Sequence, residues 1–293
     1  MPEAPSREVS GDAGLGLLLR AAVPALPVIG QLPGVRKSPA EGFSGLSVTR
    51  PPVTAERGHV ERYAEVCGFP SKDTVPFTYP HVLAFPMHLE MMTEREFPAP
   101  AVGTVHLENS ITGHRPVTIG ETLEVSAAVG APKAHPKGTV YEFTTEVRAG
   151  ADLVWESTST YLRRGKGDPS ASSGSSFPDA APNGVVWKLP ADLGRRYAAV
   201  SGDHNPIHLY ALTAKAFGFP RQIAHGMWTL ARCVAALENR LPDEVRVDVA
   251  FKKPVLLPGS VAFGSAPVSD GYAFSLTSPK DGAPHVVGRT TSL

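Results

Sequence analysis

The most constraining feature of the sequence is a pattern that occurs twice. Each copy has a strongly apolar stretch with helical periodicity, within residues 80–92 and again within 226–239, followed by segments in which apolar and polar residues alternate. A shift of roughly 140 positions superimposes the copies, placing Phe85-Pro86-Met87 on His225-Gly226-Met227 and Val105 on Val245. An internal duplication is the economical explanation. Two apolar helices, each preceding a mostly antiparallel sheet, predict an α+β fold in which each sheet wraps around a buried helix.

The two units and their connections divide the chain into four predicted segments. Residues 165–184 are mainly Ser, Gly, Pro and Asp, a composition typical of a flexible linker. We therefore predict an N-terminal helix and extended arm at 1–52, a first unit at 53–164, the linker at 165–184 and a second unit at 185–293.

Residues 14–23 form the one apolar run that resembles an export or membrane segment. Arg20 interrupts this run, Pro24 ends it, and few basic residues precede it. We expect a short helix that packs on the body of the protein, and a signal peptide is the alternative. The Pro- and Gly-rich residues that follow, up to residue 52, are predicted to be extended and to contribute no core element.

Local signals predict the remaining elements. Thr54 is expected to cap a helix that continues to Cys67, and Pro86 is expected to open the regular part of the first apolar helix. Alternating apolar residues predict strands at 103–111, 121–129, 139–147, 153–162, 245–251, 261–268, 272–276 and 285–290.

The charge balance argues against nucleic-acid and membrane partners, and the cysteine content argues against disulfides and a zinc site. The 28 Lys and Arg residues equal the 28 Asp and Glu residues, so no net field attracts nucleic acid or an anionic membrane. The chain has two cysteines, Cys67 and Cys233, both in apolar or helical surroundings, which suggests neither a disulfide framework nor a zinc site. We expect a cytoplasmic protein with no membrane insertion.

A short stretch of the second unit, Tyr197-Ala-Ala-Val-Ser-Gly-Asp-His-Asn-Pro-Ile-His208, carries an acid and an imidazole. On one continuous helix, Asp203 and His208 would point about 140° apart. Pro206 removes a backbone donor and disfavours helical angles at Asn205, so we predict a turn-rich loop that directs both side chains to one point. The alternative is that Asp203 and Asn205 are ordinary turn residues.

This stretch, with the later Ala214, Gly218-Phe219 and Ile223-Ala-His-Gly-Met227, resembles the hydratase motif of the MaoC-like dehydratases, the R-specific enoyl-CoA hydratases. That family has the hot-dog fold, and one of its forms carries two hot dogs in a single chain. The first unit resembles the degenerate partner hot dog of such chains, through Cys67-Gly-Phe69, Tyr79-Pro-His81 and Leu83-Ala-Phe-Pro-Met87. The whole chain is similar to the actinobacterial double-hot-dog 3-hydroxyacyl-thioester dehydratases.

The resemblance implies a double hot-dog, with the two units side by side as a pseudo-dimer. The first unit contains no Asp-x-Asn-Pro-x-His sequence, so one active site per chain is implied. The implied reaction is the dehydration of a (3R)-3-hydroxyacyl thioester or, in reverse, the hydration of a trans-2-enoyl thioester. No cofactor is expected beyond the CoA or phosphopantetheine group that carries the substrate.

The resemblance implies that Asp203 and His208 orient and activate one water in hydration and release it in dehydration. The backbone N–H of Gly226 is implied to bind the thioester oxygen, which suits the positive end of a helix dipole. Asn205 is expected to brace the loop or the water. The predicted supporting set is completed by Ser201, His225 and Met227, with His225 expected to be a structural hydrogen-bonding residue in preference to a catalyst.

Other interpretations of the same residues remain open. Asp203, His204, His208 and His225 could bind a metal, although their spacing matches no usual zinc or iron signature; we predict no metal and a solvent-facing His204. A hot-dog acyl thioesterase would use a carboxylate to hydrolyse the thioester. A non-catalytic subunit would bind the acyl thioester without turnover.

The sequence also suggests how the substrate is held. Met87, Met91 and Met92 are expected in the helix core, and lining an acyl tunnel is their alternative role. Lys252 and Lys253, or Arg221, could meet the phosphates of CoA or of an acyl carrier protein. The degenerate first unit is expected to leave room for a long or bulky acyl chain. Either a monomer, as a pseudo-dimer, or a homodimer is expected.

Overall fold

A computed structural model describes residues 7–11, 15–22, 37, 40 and 42–293. The first half contains α1 (Leu15–Ala22), α2 (Arg57–Cys67) and α3 (Pro80–Thr93). Its strands are β1 (Arg7–Glu8), β2 (Leu46–Thr49), β3 (Val53–Thr54), β4 (Thr104–Gly113), β5 (Thr122–Val129), β6 (Lys133–His135), β7 (Gly138–Ala149) and β8 (Asp152–Arg164).

The second half has the same basic order, in which a strand is followed by helices and then by four long strands. Its helices are α4 (Leu193–Ser201), α5 (Pro206–Leu209), α6 (Ala211–Ala216) and α7 (Gly226–Leu237), and a 3-10 turn covers Glu238–Arg240. Its strands are β9 (Pro182–Leu189), β10 (Val245–Phe251), β11 (Gly259–Val268), β12 (Gly271–Thr277) and β13 (Pro284–Ser292).

The strand order confirms the duplication. The first half has the order β1-β2-β5-β7-β8-β4, and the second has β9-β11-β12-β13-β10. Apart from β1, which pairs with β2 in parallel, the neighbours within each half are antiparallel, and β2-β5-β7-β8-β4 corresponds strand by strand to the second half. Antiparallel pairing of β4 with β10, which sets Gly113 opposite Val245, joins the two half-sheets into one continuous sheet. The double hot-dog is therefore confirmed, with the pseudo-dimer interface formed by backbone hydrogen bonds between the two inner strands.

Each half-sheet packs on one long helix. In α3, residues on all sides are buried, including Met87 and Met91 with no exposed surface. In α7, Leu230, Ala231 and Val234 are equally buried. A helix that is apolar around its whole circumference is stable only inside a core. The apolar stretches therefore form the centres of the two hot dogs, as their composition predicts.

The N-terminal helix prediction is confirmed within the described residues. Leu17 and Ala21 of α1 pack against Leu89 of α3, and Arg20 forms an ion pair with Glu90 at 3.0 Å. In the part of the chain that the structure describes, no helix is both long and apolar enough to span a membrane. The predicted arm lies partly outside the described residues.

Two local predictions in the first half are wrong. Thr54 lies in β3, and α2 begins three residues later at Arg57, with Glu56 in the capping position. Pro86 does not open α3, which begins at Pro80, but lies inside it. The ring of Pro80 is compatible with the first turn, where the backbone N–H has no helical partner, and this favours the earlier start.

Strands β2 and β9 lie in segments that were not predicted to form any. Residues 46–49 of the predicted arm form β2, in which Val48 is buried, and residues 182–184 of the predicted linker belong to β9. The rest of the linker also contacts the body, because the Ser175 N–H and hydroxyl both donate to the Glu108 carboxylate, at 2.6 and 3.0 Å. The conformation of these segments is set by pairing with a neighbouring strand and by specific hydrogen bonds. Local propensity does not set it.

Candidate active site

A cavity of about 610 Å³ lies between the two halves. The second half contributes residues from the α4–α5 connection, the start of α7 and the end of β10. The first half contributes one side of α3, the start of β4 and Tyr161 of β8. All seven predicted site residues line this cavity: Ser201, Asp203, Asn205, His208, His225, Gly226 and Met227.

The stretch that carries the acid and the imidazole is a helix–loop–helix rather than the predicted turn-rich loop. Residues 197–201 belong to α4, which ends at Gly202 in the left-handed conformation (φ 73°). Tyr197, Ala198 and Ser201 are buried, so the packing of this face stabilises helical backbone there. Four residues, 202–205, form the connection, and α5 begins at Pro206, again in the first helical turn. The bend places Asp203 and His208 in one cavity.

Hydrogen bonds from backbone N–H groups to side-chain oxygens hold the connection in this shape. The Asp203 N–H donates to Ser201 Oγ at 3.2 Å, and the Asn205 N–H donates to Asp203 Oδ1 at 3.1 Å. Asn205 also caps α5, because its side-chain oxygen accepts from the Ile207 N–H at 3.4 Å. Asn205 therefore braces the loop, as predicted, while His204 is exposed, as predicted.

His208 is fixed by a neighbouring strand-like segment. Its Nδ1–H donates to the carbonyl oxygen of Ile223 at 2.8 Å, and the Ile223 N–H donates to the Ile207 carbonyl at 3.1 Å. Since Nδ1 is the donor, Nε2 of a neutral ring is left as a hydrogen-bond acceptor. Burial lowers the pKa of His208 below its usual value, against the opposing effects of Asp203 and the Ile223 carbonyl. The imidazole is therefore uncharged at neutral pH and can accept a proton.

His225 has a structural position at the entrance to α7. Its Nε2–H donates to the carbonyl oxygen of Asp203 at 2.9 Å, which ties the loop to the helix start. Its ring stacks on that of His208, with the centroids 3.7 Å apart. Burial, reinforced by His208, lowers the pKa of His225 to about 3. A permanently neutral ring that orients its neighbours agrees with the predicted structural role.

Asp203, His208 and His225 form a compact group in which one ligand atom of each lies within 4.8 Å of the others. A group of this size could hold a metal ion. However, Nε2 of His225, which lies 3.8 Å from Asp203 Oδ2, already donates to the Asp203 carbonyl, so the His225 nitrogen without a partner is Nδ1. The absence of a metal stays a prediction.

Gly226 is the first residue of α7 and lines the cavity. Among the described residues, no group accepts a hydrogen bond from its N–H. A Cβ at this position would lie 3.3 Å from the ring of Phe251, so glycine allows β10 and α7 to approach closely. The N–H therefore has no acceptor among the described residues and lies at the positive end of a helix dipole, where negative charge is stabilised.

The first half adds residues that the sequence did not predict as site residues. His81 of α3, His106 of β4 and Tyr161 of β8 all line the cavity. His81 occurs in one of the motifs that carry the family resemblance, but His106 and Tyr161 occupy ordinary strand positions with no local signal. The cavity also includes Met92, whereas Met87 and Met91 are buried in the core without lining it.

Comparisons with known proteins agree on one family. A family model described as "MaoC like domain" matches residues 182–271. The chain is 36% identical over 285 residues to the 3-hydroxyacyl-thioester dehydratase X of Mycobacterium tuberculosis, covering 96% of this chain and 99% of the relative. The crystal structure of HtdX from the same organism has a TM-score of 0.76, covering 84% of this chain and all of that one.

A more distant solved structure, a MaoC-like dehydratase from Phytophthora capsici, is 21% identical with a TM-score of 0.70 and shows the fold alone. The match covers 85% of this chain and 95% of the Phytophthora chain. The identity and coverage of the first relative decide the family. The chain therefore belongs to the MaoC-like dehydratase family, a family of hydro-lyases, in the form that carries two hot dogs in one chain.

Proposed function

We propose that the protein dehydrates (3R)-3-hydroxyacyl thioesters, and hydrates trans-2-enoyl thioesters in reverse, with Asp203 and His208 as the catalytic pair. The observation that carries this proposal is the arrangement in one cavity of an unprotonated His208 Nε2, the Asp203 carboxylate and the free N–H of Gly226. The dehydratase name of the relative that matches nearly the whole chain supports the same reaction.

Each group has a defined task in hydration. A water between Asp203 and His208 loses a proton to the pair as its oxygen forms a bond to C3 of the enoyl thioester. The electrons of the C2–C3 double bond move toward the carbonyl, and the Gly226 N–H binds the enolate oxygen. The pair then gives up its proton to C2, which yields the 3-hydroxyacyl thioester and restores the pair. Dehydration is the reverse, with the C3 hydroxyl leaving as water.

The remaining cavity surface suits an acyl chain and its carrier. Phe85, Leu89 and Met92 of α3 present apolar surface on the first-half side, which supports the proposed room for a long acyl chain. Lys252 and Lys253 are exposed and line the cavity, so we propose that they meet the phosphates of CoA or of a carrier protein. The other candidate, Arg221, is not among the lining residues.

The largest expected effect of any substitution in this protein is at the catalytic pair. Asp203→Asn and His208→Ala should each reduce hydration of crotonyl-CoA about 10³-fold or more, because each removes a proton-transfer group. Loss of absorbance by the conjugated enoyl thioester measures the reaction. Thermal unfolding of both variants controls for stability, and undiminished turnover in both would overturn the assignment.

The same reaction mixtures distinguish the alternative activities. A thioesterase would release free thiol, which a disulfide reagent detects, whereas hydration leaves the thioester intact. A non-catalytic subunit would bind the substrate without either change. An intact pair of acid and imidazole favours turnover over binding alone.

A chain-length series assayed with both carriers would define the substrate. We expect enoyl thioesters longer than four carbons to be turned over, and activity confined to four-carbon substrates would contradict the proposed role of the first half. The cytoplasmic location stays a proposal, based on two buried cysteines that form no disulfide. A monomer, in which β4 and β10 replace a dimer interface, is the proposed state, with a homodimer as its alternative.

A further inference from the structure

The wall of the cavity contributed by the first half is not uniformly apolar. Beside Phe85, Leu89 and Met92, it contains the rings of His81, His106 and Tyr161. An acyl chain without polar substituents needs only apolar surface, and none of the three rings belongs to the catalytic pair. Their presence in the part of the cavity expected to hold the acyl chain therefore requires another reason.

The three rings form one stacked column. The centroids of His81 and His106 are 6.2 Å apart with an interplanar angle of 21°, and those of His106 and Tyr161 are 4.4 Å apart at 24°. The column also contacts the second half, because His106 lies 5.0 Å from Phe251, the residue that packs beside Gly226. The rings are thus held in place by elements of both halves.

The column keeps unused hydrogen-bonding capacity. Nδ1 of His81 and Nε2 of His106 are buried, and neither has a hydrogen-bond partner among the described residues. Buried polar atoms in folded proteins are nearly always paired, so an unpaired atom beside a cavity indicates a missing polar partner. Both residues line the cavity, so a polar group bound there is the partner that these nitrogens lack.

The column is also uncharged. Burial lowers the pKa of His81 to about 4 and that of His106 to about 3, while burial raises the pKa of Tyr161. A neutral imidazole can donate one hydrogen bond and accept another, and the Tyr161 hydroxyl, which already interacts with Ser159, has capacity for a second partner. They suit a hydroxyl or a keto oxygen, and they offer no positive charge to a carboxylate.

We propose that His81, His106 and Tyr161 bind a hydroxyl or keto oxygen carried by the acyl chain beyond the reacting carbons. The preferred substrates are then oxygenated acyl thioesters rather than plain hydrocarbon ones. This inference rests on the proposed dehydratase function, since it concerns the acyl part of the same substrate.

The test compares enoyl-CoA substrates of equal length, trans-2-octenoyl-CoA and its analogues with a hydroxyl or keto group at carbon 5, 6 or 7. The natural protein should show a kcat/KM at least about tenfold higher for one oxygenated analogue than for octenoyl-CoA, because a site with polar groups disfavours a ligand that leaves them unpaired. Failure to hydrate even crotonyl-CoA would instead overturn the proposed function, so the two failures are distinguishable.

Three variants test whether the preference for oxygenated substrates depends on the column. His81→Phe and His106→Phe keep an aromatic ring, and Tyr161→Phe removes a single hydroxyl, so at least one of the three is expected to fold. Each folded variant should lose most of the preference, measured as the ratio of kcat/KM for the oxygenated analogue to that for octenoyl-CoA. Val105→Ala, on the same strand as His106 and also lining the cavity, is the control and should change both rates alike. An equal rate for plain and oxygenated substrates, or a preference unchanged in every folded variant, would overturn the inference.

Discussion

The five antiparallel strands of the two hot dogs follow the same order, but the halves differ at two positions that we propose for the chemistry. In both, a short helix ends at a glycine in the left-handed conformation, Gly68 (φ 78°) in the first half and Gly202 (φ 73°) in the second. The next residue is Phe69 in the first and Asp203 in the second. Phe69 is buried and stacks on Tyr63, with the centroids 6.4 Å apart, whereas Asp203 faces the cavity.

The second difference lies at the long helices. The alignment of the halves pairs Pro86 with Gly226, but α3 begins at Pro80, so Pro86 lies inside its helix. Gly226 opens α7 and presents a free N–H, and a proline has none to present. The first half thus lacks counterparts of the proposed acid and the proposed oxyanion donor, although its backbone is similar. The hot-dog fold therefore forms without the residues at the helix ends that we propose for catalysis.

The sharpest way to test this comparison is to give the second half the residue of the first. Gly226→Pro should lower kcat about 10²–10³-fold, the usual cost of losing one oxyanion donor. Proline suits the first turn of a helix, and His225 already has the extended backbone that precedes a proline (φ −65°, ψ 138°). Steady-state kinetics with crotonyl-CoA measure the effect.

Gly226→Ala is the matched control for this experiment. It introduces the same Cβ next to Phe251 but keeps the N–H, so its kcat should stay well above that of Gly226→Pro. Equal losses in the two variants would mean that crowding by the Cβ, and not the missing donor, explains the effect.

The reverse substitution tests whether an acid alone makes a site. Phe69→Asp should destabilise the protein by about 3 kcal/mol or more, because it removes a buried ring and buries a carboxylate. It should add no second activity, since the first half has no oxyanion donor at Pro86. Urea unfolding measures the first effect, and assay in the Asp203→Asn background measures the second. Recovered hydration in the double variant would contradict this account of the halves.

The pH dependence should reflect the burial of His208. Because its pKa lies below the usual 6.5, the neutral base persists at pH values where an exposed histidine would be protonated. We expect the acidic limb of the kcat/KM profile to lie below pH 6.5, with the rate falling about tenfold for each further pH unit below the pKa of this group. A limb above pH 6.5 would show that His208 is protonated more readily than its burial predicts.

The family and the duplication could be predicted from the sequence because each depends on local order along the chain. The motif from Tyr197 to His208 and the apolar stretches at α3 and α7 are continuous segments, and their periodicity is set by residues that lie close together. The carboxylate, the imidazole and the glycine N–H could therefore be proposed as site groups before the fold was known. Their mutual distances could not.

The tertiary structure decided what depends on distant partners. The equivalent outer strands β2 and β9 were both missed, since each follows a segment rich in Gly, Pro or Ser and forms a strand by pairing with β5 or β11. Likewise, His81, His106 and Tyr161 come together from three elements, and their spacing along the chain does not predict that their rings stack. Local propensity is a property of the sequence, whereas strand pairing and cavity walls are made by contacts between residues far apart in it.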